Sequence, residues 1–344
     1  MQDEFINIKE KVCLVPSDFD NELSNIPVDT KILMFEWGSI FNKKIKKNIL
    51  PKSLTNIILA RDYNQLIGKK VLPDELLYLT FGLKFNQKII KNVLPKSLLY
   101  LKFGDLHKKK IKVGVLPTGL KYLIMGASNN NKIESNVLPN GLTHLVLGTL
   151  YNHEIEENVL PKSLIFLDLG CEFNKEIKKG VLPDSLIYLH LTDLFNQKID
   201  RYVLPKNLQI LYFGKYYDEP IDKDIFPESL KELIFIAESK IKNHISDHVE
   251  ILKIHFFPYR DDNGNDTDIP DPTHEKDITE IPSSIKKIII NDEKYMNYLK
   301  KIPFGCVIET DKYVLKDMFI CNDKLFYNEY EINNEDKYIY FTLI

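Results

Sequence analysis

A proline preceded by a large apolar residue recurs along this chain at a constant interval. Nine such prolines are equally spaced, at Pro51, Pro73, Pro95, Pro117, Pro139, Pro161, Pro183, Pro205 and Pro227. Pro27 precedes Pro51 by two positions more than this interval, so the first unit carries a two-residue insertion. Self-similarity at a fixed period of this length is the signature of a repeat array, in which every period is one structural unit.

Each position counted from the proline has its own side-chain chemistry. Leucine stands three residues after all nine prolines, as in Leu54 and Leu142, and a large apolar residue stands at the sixth and eighth positions, as in Leu145 and Leu147. A spacing of two puts the sixth and eighth side chains on one face of a β-strand. A single unit has too few apolar side chains to offset the entropy of ordering its residues, so stacking of the units into a solenoid is expected.

The repeated phrase resembles a known family. FNKEIKKGVLPDSLIYLHL, residues 173–191, and its copies from Phe85 and Phe195 are similar to the FNIP repeat, a relative of the leucine-rich repeat found in social amoebae and in giant viruses that infect amoebae. The resemblance implies a β-rich solenoid, a leucine-rich-repeat-like stack of 22-residue coils with one parallel sheet. Some family members carry an F-box and serve ubiquitin ligases, but about 25 residues before the first repeat are too few for that domain.

The periodicity also predicts boundaries along the chain. Residues 1–26 are expected to form an N-terminal cap, 27–236 the solenoid, and 292–344 a C-terminal cap with a short helix near 293–301. Residues 237–291 are expected to be degenerate repeats, with strands around Leu252 and Ile288, interrupted by an acidic loop at 257–281. The caps are expected because a bare solenoid end exposes its core.

An asparagine column follows the aromatic residue of most repeats. It contains Asn42, Asn64, Asn86, Asn130, Asn152, Asn174 and Asn196. We expect these amides to be buried and to bond the backbone of the next coil. Lys108 and Asp218 interrupt the column, which predicts looser coils at those two places.

The fifth and seventh positions after each proline are expected to point away from the core, onto an open sheet face. They carry the residues predicted to bind a protein partner: Tyr78, Tyr100, Tyr122, His144, Phe166, Asp168, Tyr188, His190 and Tyr212. A long exposed aromatic row commonly marks an interface, although aromatic residues also stabilise strands by stacking on one another.

The adjacent Asp168 and His190 have the residue types of an oriented general base. No nucleophile or set of metal ligands accompanies them in the sequence, so a simple surface contact is the preferred interpretation, and neither a cofactor nor a metal is predicted. Lysine clusters at 43–47, 108–112 and 174–179 are interpreted as a solvated face, because acidic residues 154–157 interrupt them.

Composition narrows the expected partners. The net charge is −3, and only three of 46 basic residues are arginine, which argues against nucleic acid. Four scattered cysteines indicate free thiols in a reducing compartment, and the start of the chain has no signal-peptide pattern. No apolar run is long enough to span a bilayer, so no membrane partner is expected. A cytoplasmic protein, in the host cytoplasm if viral, is predicted.

The sequence therefore predicts a non-enzymatic interaction module that binds another protein through its sheet face, as an adaptor of viral or amoebal origin. Two alternatives stay open. One is a structural component that forms a homo-oligomer through the same face. The other is a carbohydrate-binding protein that uses the aromatic residues as a platform for sugar rings.

Overall fold

The computed structural model describes residues 6–7, 11–237, 239–257, 259–260, 266–267 and 277–311. Most of the predicted acidic loop at 257–281 and the greater part of the predicted C-terminal cap at 292–344 lie outside these residues. No helix among the described residues is long and apolar enough to cross a membrane.

Within the described residues, fifteen strands form one sheet in the order of the chain, and all neighbours except the first pair are parallel. The strands of this sheet are β1 Ile6–Asn7, β2 Val12–Val15, β3 Ile32–Phe35, β4 Asn56–Ile58, β5 Tyr78–Thr80, β6 Tyr100–Lys102, β7 Tyr122–Ile124, β8 His144–Val146, β9 Phe166–Asp168, β10 Tyr188–Leu191, β11 Ile210–Phe213, β12 Glu232–Ile236, β13 Ile251–His255, β16 Lys287–Ile290 and β17 Val307–Thr310. A separate hairpin pairs β14 Tyr259–Arg260 with β15 Asp266–Thr267.

Helix in the described part of the chain is limited to three short 3-10 segments, Lys223–Ile225, Lys240–Asn243 and Glu293–Tyr298. The last of these lies where the sequence predicts a short helix. The single parallel sheet with little helix confirms the predicted β-solenoid. At its start, β2 is already in parallel register with β3, so the parallel sheet begins within the segment predicted as the N-terminal cap.

The predicted core columns are confirmed. Leu145 pairs with Leu123 on one side and Leu167 on the other, and all three side chains are fully buried. The leucine at the third position after each proline is also fully buried in all nine repeats, as in Leu54 and Leu142. The degenerate repeats keep this arrangement, because Leu252 and Ile288 are paired and buried.

The stack is curved, with the sheet on its inner side. Aromatic rings from the same core position of most coils form the aromatic column; its successive phenylalanine and tyrosine rings are stacked, with centroids 6.0–6.4 Å apart and ring planes within 8° of one another. Adjacent strands lie only about 4.8 Å apart. Coils that are closer at the sheet than at the aromatic column must fan outward, so the sheet face is concave.

In five of the nine coils, a serine two residues after the proline (Ser53, Ser97, Ser163, Ser185 and Ser229) joins its coil to the one before it. The hydroxyl of Ser163 donates to the carbonyl oxygens of Asn140 (2.7 Å) and Leu142 (2.6 Å). Ser53, Ser97 and Ser229 make the same pair of bonds in their own coils. This serine therefore satisfies turn carbonyls that the in-register stack would otherwise leave without a donor.

The asparagine column forms the expected ladder, but its amides are half-buried or exposed rather than buried. The side-chain oxygen of Asn152 accepts the backbone N–H of Asn174 at 3.0 Å, and the other asparagines bond in the same way. The N–H groups of Lys108 and Asp218 still donate to the asparagine of the preceding coil, at 2.9 and 2.8 Å. A lysine side chain cannot accept the hydrogen bond that an asparagine side chain accepts in this column. Instead, the side-chain amide of Asn131 donates a hydrogen bond to the carbonyl oxygen of Lys108.

The glycine after the strand is required by a close approach between coils. A Cβ on Gly126 would lie 2.1 Å from the carbonyl oxygen of Gly104, and one on Gly104 would lie 1.9 Å from that of Gly82. Neither glycine has a positive φ, so a backbone conformation that favours glycine is not the reason for it at these two positions. The absence of a side chain lets successive coils stack at strand spacing.

The aromatic column has two polar members, His107 and Asn129, which are both 1% exposed. The His107 ring stacks on Phe103 and Phe85, and its Nε2 lies 3.3 Å from the Gln87 carbonyl oxygen. Burial lowers the pKa of His107 to about 4. The folded array therefore holds this imidazole neutral near neutral pH.

We predict that acid destabilises the fold partly through His107. Its pKa is about 4 in the folded state and about 6.5 when unfolded, so the stability it contributes is complete above pH 6.5 and is lost as the pH falls towards 4. Replacing it with the phenylalanine of neighbouring coils, His107→Phe, removes this loss. The difference in unfolding free energy between variant and wild type should grow by about 2 kcal/mol between pH 7.5 and pH 5 in urea titrations. Parallel pH profiles would contradict this account of the column.

The residue three positions before each proline of the regular coils adopts a left-handed backbone. Positive φ values of 60–86° occur at Asn48, Lys70, Asn92, Gly114, Asn136, Asn158, Gly180 and Tyr202. Asparagine and glycine tolerate this conformation best. The recurrence of asparagine and glycine at this position is visible in the sequence, but the left-handed backbone that explains it was not predicted.

This column predicts a stabilising substitution at Lys70, which is exposed and has a φ of 60°. Lys70→Asn should raise the unfolding free energy by about 0.5–1 kcal/mol, because asparagine adopts this backbone at lower cost. The neighbouring Lys69→Asn is the matched control, since Lys69 has no positive φ, and it should leave stability unchanged. Equal effects of the two variants in urea titrations would exclude the backbone explanation.

Candidate interaction surface

The inner sheet face carries the residues predicted to bind a partner. The strand register places Tyr78 beside Tyr100, Tyr122 beside His144 and Phe166 beside Tyr188. These six residues form one continuous row, which we call the aromatic stripe. Successive ring centroids along it are 6.2, 6.4, 4.3, 5.7 and 4.6 Å apart.

The stripe is less exposed than the sequence suggests. Tyr78, Tyr122, His144, Phe166 and Tyr188 are half-buried, and Tyr100 is buried at 5% exposure. The expectation of a fully open face is wrong for two reasons. Concave curvature brings the side chains of neighbouring coils together, and the rings cover one another.

The orientation of the rings decides which of their surfaces a partner could touch. The Tyr122 and His144 rings are stacked at an interplanar angle of 24°, and the Phe166 and Tyr188 rings at 12°. Stacking of this kind directs each ring face towards the next coil. The ring edges are therefore the main surfaces left towards the concave side.

His144 is held within the stripe as a neutral ring. Its Nδ1 lies 2.9 Å from the hydroxyl oxygen of Thr143, and burial lowers its pKa below the usual value. The centre of the stripe therefore presents little charge near neutral pH.

Asp168, His190 and Tyr212 were expected to face water, and the structure corrects this expectation. They are 0%, 5% and 2% exposed. An Asp168 carboxylate oxygen lies 2.8 Å from His190 Nδ1, and the other accepts the backbone N–H of Gly170 at 2.8 Å. The pair is a buried, hydrogen-bonded element of the sheet rather than a contact on an open surface.

Tyr212 extends this buried polar group. Its ring meets His190 edge-on at 4.2 Å, and its hydroxyl donates to Asp193 at 2.9 Å. Burial, followed by the Asp193 charge, raises the pKa of Tyr212 well above its usual value, so the hydroxyl stays protonated. Each of these contacts satisfies a polar group that the concave face removes from water, which is a structural role.

A second apolar cluster covers the inner face beyond the stripe. Its buried members are Tyr212, Ile234 and Ile236, and Phe257 packs against them from the end of β13. The Phe257 ring also meets His255 edge-on at 4.7 Å, and Lys215 Nζ lies 5.3 Å from its centroid. This cluster was not predicted from the sequence. The signal was the apolar residues at positions five and seven of these coils, such as Ile234.

No group of three or more His, Cys, Asp or Glu side chains that could hold a metal ion occurs among the described residues. Cys13, Cys171 and Cys306 form no disulfide within the described residues, and Cys321 lies outside them. Burial raises the pKa of Cys13 to about 11, which keeps that thiol protonated.

The structure is similar to a solved giant-virus protein. The crystal structure of CroV588, described as a novel circular LRR protein structure, matches with a TM-score of 0.68 and 33% sequence identity. The match covers 87% of this chain and 43% of that one, so this chain spans less than half of its length. A leucine-rich repeat protein from Bacteroides ovatus matches at 12% identity with a TM-score of 0.21, covering 83% of this chain and 76% of that one, which is too low to bear on this fold.

A search of curated proteins finds no significant match. The sequence profile of the FNIP repeat, in contrast, matches residues 41–84, 85–128, 129–172, 173–207 and 195–237. These matches cover more than half of the chain and agree in register with the coils of the structure. The chain belongs to the FNIP repeat family.

Proposed function

We propose that this chain is a non-enzymatic interaction module that binds a partner protein on its inner sheet face, with the aromatic stripe at the centre of the contact. Leucine-rich-repeat-like solenoids commonly serve as interaction scaffolds and are typically not catalytic. The observation that carries the proposal is the row of six aromatic and histidine rings on the concave face, five of which remain half-buried and accessible.

The chemistry of the stripe fits protein recognition. Tyrosine combines a large contact area with a hydroxyl and few torsions to order, which is why it is enriched at interfaces. The rings of the stripe already support one another, so little side-chain freedom remains to be lost on binding. The partner surface that fits is convex and largely uncharged.

Ring stacking argues against the carbohydrate alternative. Sugar-binding platforms use an open aromatic face, against which the apolar side of a sugar ring packs. In the stripe, the faces of Tyr122, His144, Phe166 and Tyr188 are turned towards neighbouring rings. The edges that remain offer no such platform.

Self-assembly through the same face is the other candidate. A dimer that used the stripe would bury the same rings, and its formation would depend on protein concentration. Light scattering over a range of concentrations separates the two functions, because a partner-binding chain keeps the stripe available while a stripe-mediated dimer does not. The described cysteines, which form no disulfide with one another, fit a reducing compartment, and we propose the cytoplasm, of the host if the chain is viral.

The proposal predicts the effect of changing Tyr78, Tyr122 and Tyr188 together to serine. Tyr100 is left intact, because it is buried at 5% exposure and its loss would disturb packing. The triple variant should keep a cooperative unfolding transition and lose more than about 30-fold in partner affinity, as expected for removal of interface anchors. Affinity capture with quantitative mass spectrometry identifies the partner, and calorimetry with the purified partner measures the loss.

The control variant changes Tyr202 and Tyr216 to serine, since these tyrosines are 66% and 55% exposed outside the stripe. A partner of the inner face is captured by wild type and control and is lost from the stripe variant. If every protein captured by wild type is also captured by the stripe variant, binding lies elsewhere and the proposal is wrong.

A further inference from the structure

The outer turns of four consecutive coils bring twelve lysines onto one surface. These turns, residues 42–48, 64–70, 86–92 and 108–114, contain no aspartate or glutamate. We call the surface the outer lysine patch; its members are Lys43, Lys44, Lys46, Lys47, Lys69, Lys70, Lys88, Lys91, Lys108, Lys109, Lys110 and Lys112. Lysine clusters that are separate in the sequence become neighbours in the in-register stack.

Ion pairs on the outer turns show which residues meet between coils. Lys132 contacts Glu156 at 2.5 Å, and Lys178 contacts Glu154 at 2.5 Å. In both pairs the two side chains come from adjacent coils and are offset by two positions from the repeat register. Within the patch the same offset joins lysine to lysine, as in Lys46 with Lys70 and in the later coils of the patch. The interaction that stabilises the later coils is therefore repulsive in the patch.

Only the borders of the patch are neutralised. Lys43 pairs with Asp20, Lys46 with Glu22 and Lys110 with Glu134. The other nine lysines are exposed and make no ion pair within the described part of the chain. Uncompensated like charges destabilise a compact state and attract an anionic partner.

Exposed aliphatic side chains lie among these lysines. Leu66, Ile90 and Val113 are 54%, 48% and 44% exposed, and each belongs to a different outer turn of the patch. Residues beside them in the turns, such as Ile67 and Ile89, point into the core instead. Basic and aliphatic side chains are thus mixed on one convex surface.

We propose that the outer lysine patch docks this chain onto an anionic lipid bilayer. Lysines near such a surface are attracted to its acidic headgroups, and aliphatic side chains gain by entering the interfacial region. Nucleic acid fits the patch less well, because aliphatic side chains gain nothing from a phosphate backbone. The patch contains no arginine for base or phosphate forks and no aromatic ring for stacking on bases.

This inference revises the expectation that the chain has no membrane partner. That expectation rested on the lack of a long apolar segment, which bears on spanning a bilayer and not on docking to its surface. The patch lies on the convex side and the aromatic stripe on the concave side. A docked chain would therefore hold the stripe away from the lipid, where a protein partner can reach it.

The test is cosedimentation with unilamellar vesicles, either of phosphatidylcholine alone or of a mixture that also contains the anionic lipid phosphatidylserine. Wild type should bind the anionic vesicles and not the neutral ones, and binding should weaken as the salt concentration rises, because salt screens the attraction. The variant Lys44→Gln, Lys69→Gln, Lys88→Gln, Lys112→Gln should bind about a hundredfold less tightly, or weaker still. The variant Leu66→Ser, Ile90→Ser, Val113→Ser should bind more weakly with the same salt dependence.

A matched control removes four lysines from other outer turns, through Lys175→Gln, Lys178→Gln, Lys179→Gln and Lys198→Gln. It has the same net charge as the patch variant and should retain binding within about threefold, because these lysines lie outside the patch. The triple stripe variant should also bind vesicles like wild type. Membrane docking and partner binding can therefore fail independently.

Three results would overturn the proposal. One is a wild-type chain that does not sediment with anionic vesicles at low salt. Another is equal loss of binding in the patch variant and its matched control, which would reduce the effect to net charge. The third is tight binding to a short RNA or DNA duplex without binding to vesicles, which would identify the patch as a nucleic-acid surface.

Discussion

Every feature of this fold depends on the stacking of one coil on the next. A coil has one strand of three to five residues in most of the array, and a lone strand has no partner for its backbone groups. In register, each strand pairs on both sides, the leucine columns become continuous, and the serine and asparagine side chains bond the neighbouring coil. The residues that recur in every repeat therefore serve mainly to make contacts between coils rather than within one coil.

Curvature then gives the two faces different chemistry. On the inner side, coils at strand spacing bring side chains together, so that rings stack on rings and polar groups such as Asp168 and His190 must find partners within the sheet. Away from the sheet the coils are further apart, as the 6.0–6.4 Å spacing of the stacked rings indicates. That spread allows rows of lysines to coexist at a tolerable cost, whereas the same charges on the inner face would be buried.

The core could be predicted from the sequence because it depends on periodicity alone. A leucine that recurs at the same strand position of every unit is expected in the core of the stack. Leu145 and its counterparts in the other coils are buried there. The members and order of the aromatic stripe were predictable for the same reason. Its degree of burial was not, because curvature is a property of the whole coil cross-section, and no single column of residues reports it.

Other features could be interpreted only once the stacking of the coils was known. Asp168 and His190 looked like neighbours on an open surface, and only the concave geometry shows that they are enclosed. The lysine clusters looked solvated when taken one turn at a time. The Lys132–Glu156 ion pair shows that side chains of adjacent coils come into contact at an offset of two positions from the repeat register. At this offset some lysines lie beside acidic residues, whereas lysines of the patch lie beside other lysines.

The central claim is that the recurring leucines line the interior of one in-register stack. The most direct test compares Leu145→Asp, at a fully buried position, with Asn140→Asp, at an exposed position of the same coil. An unpaired charge in the core should lower the unfolding free energy by more than about 4 kcal/mol and abolish the folded signal of the adjoining coils, while the control melts like wild type. Superimposable thermal unfolding curves for Leu145→Asp and wild type would contradict the account.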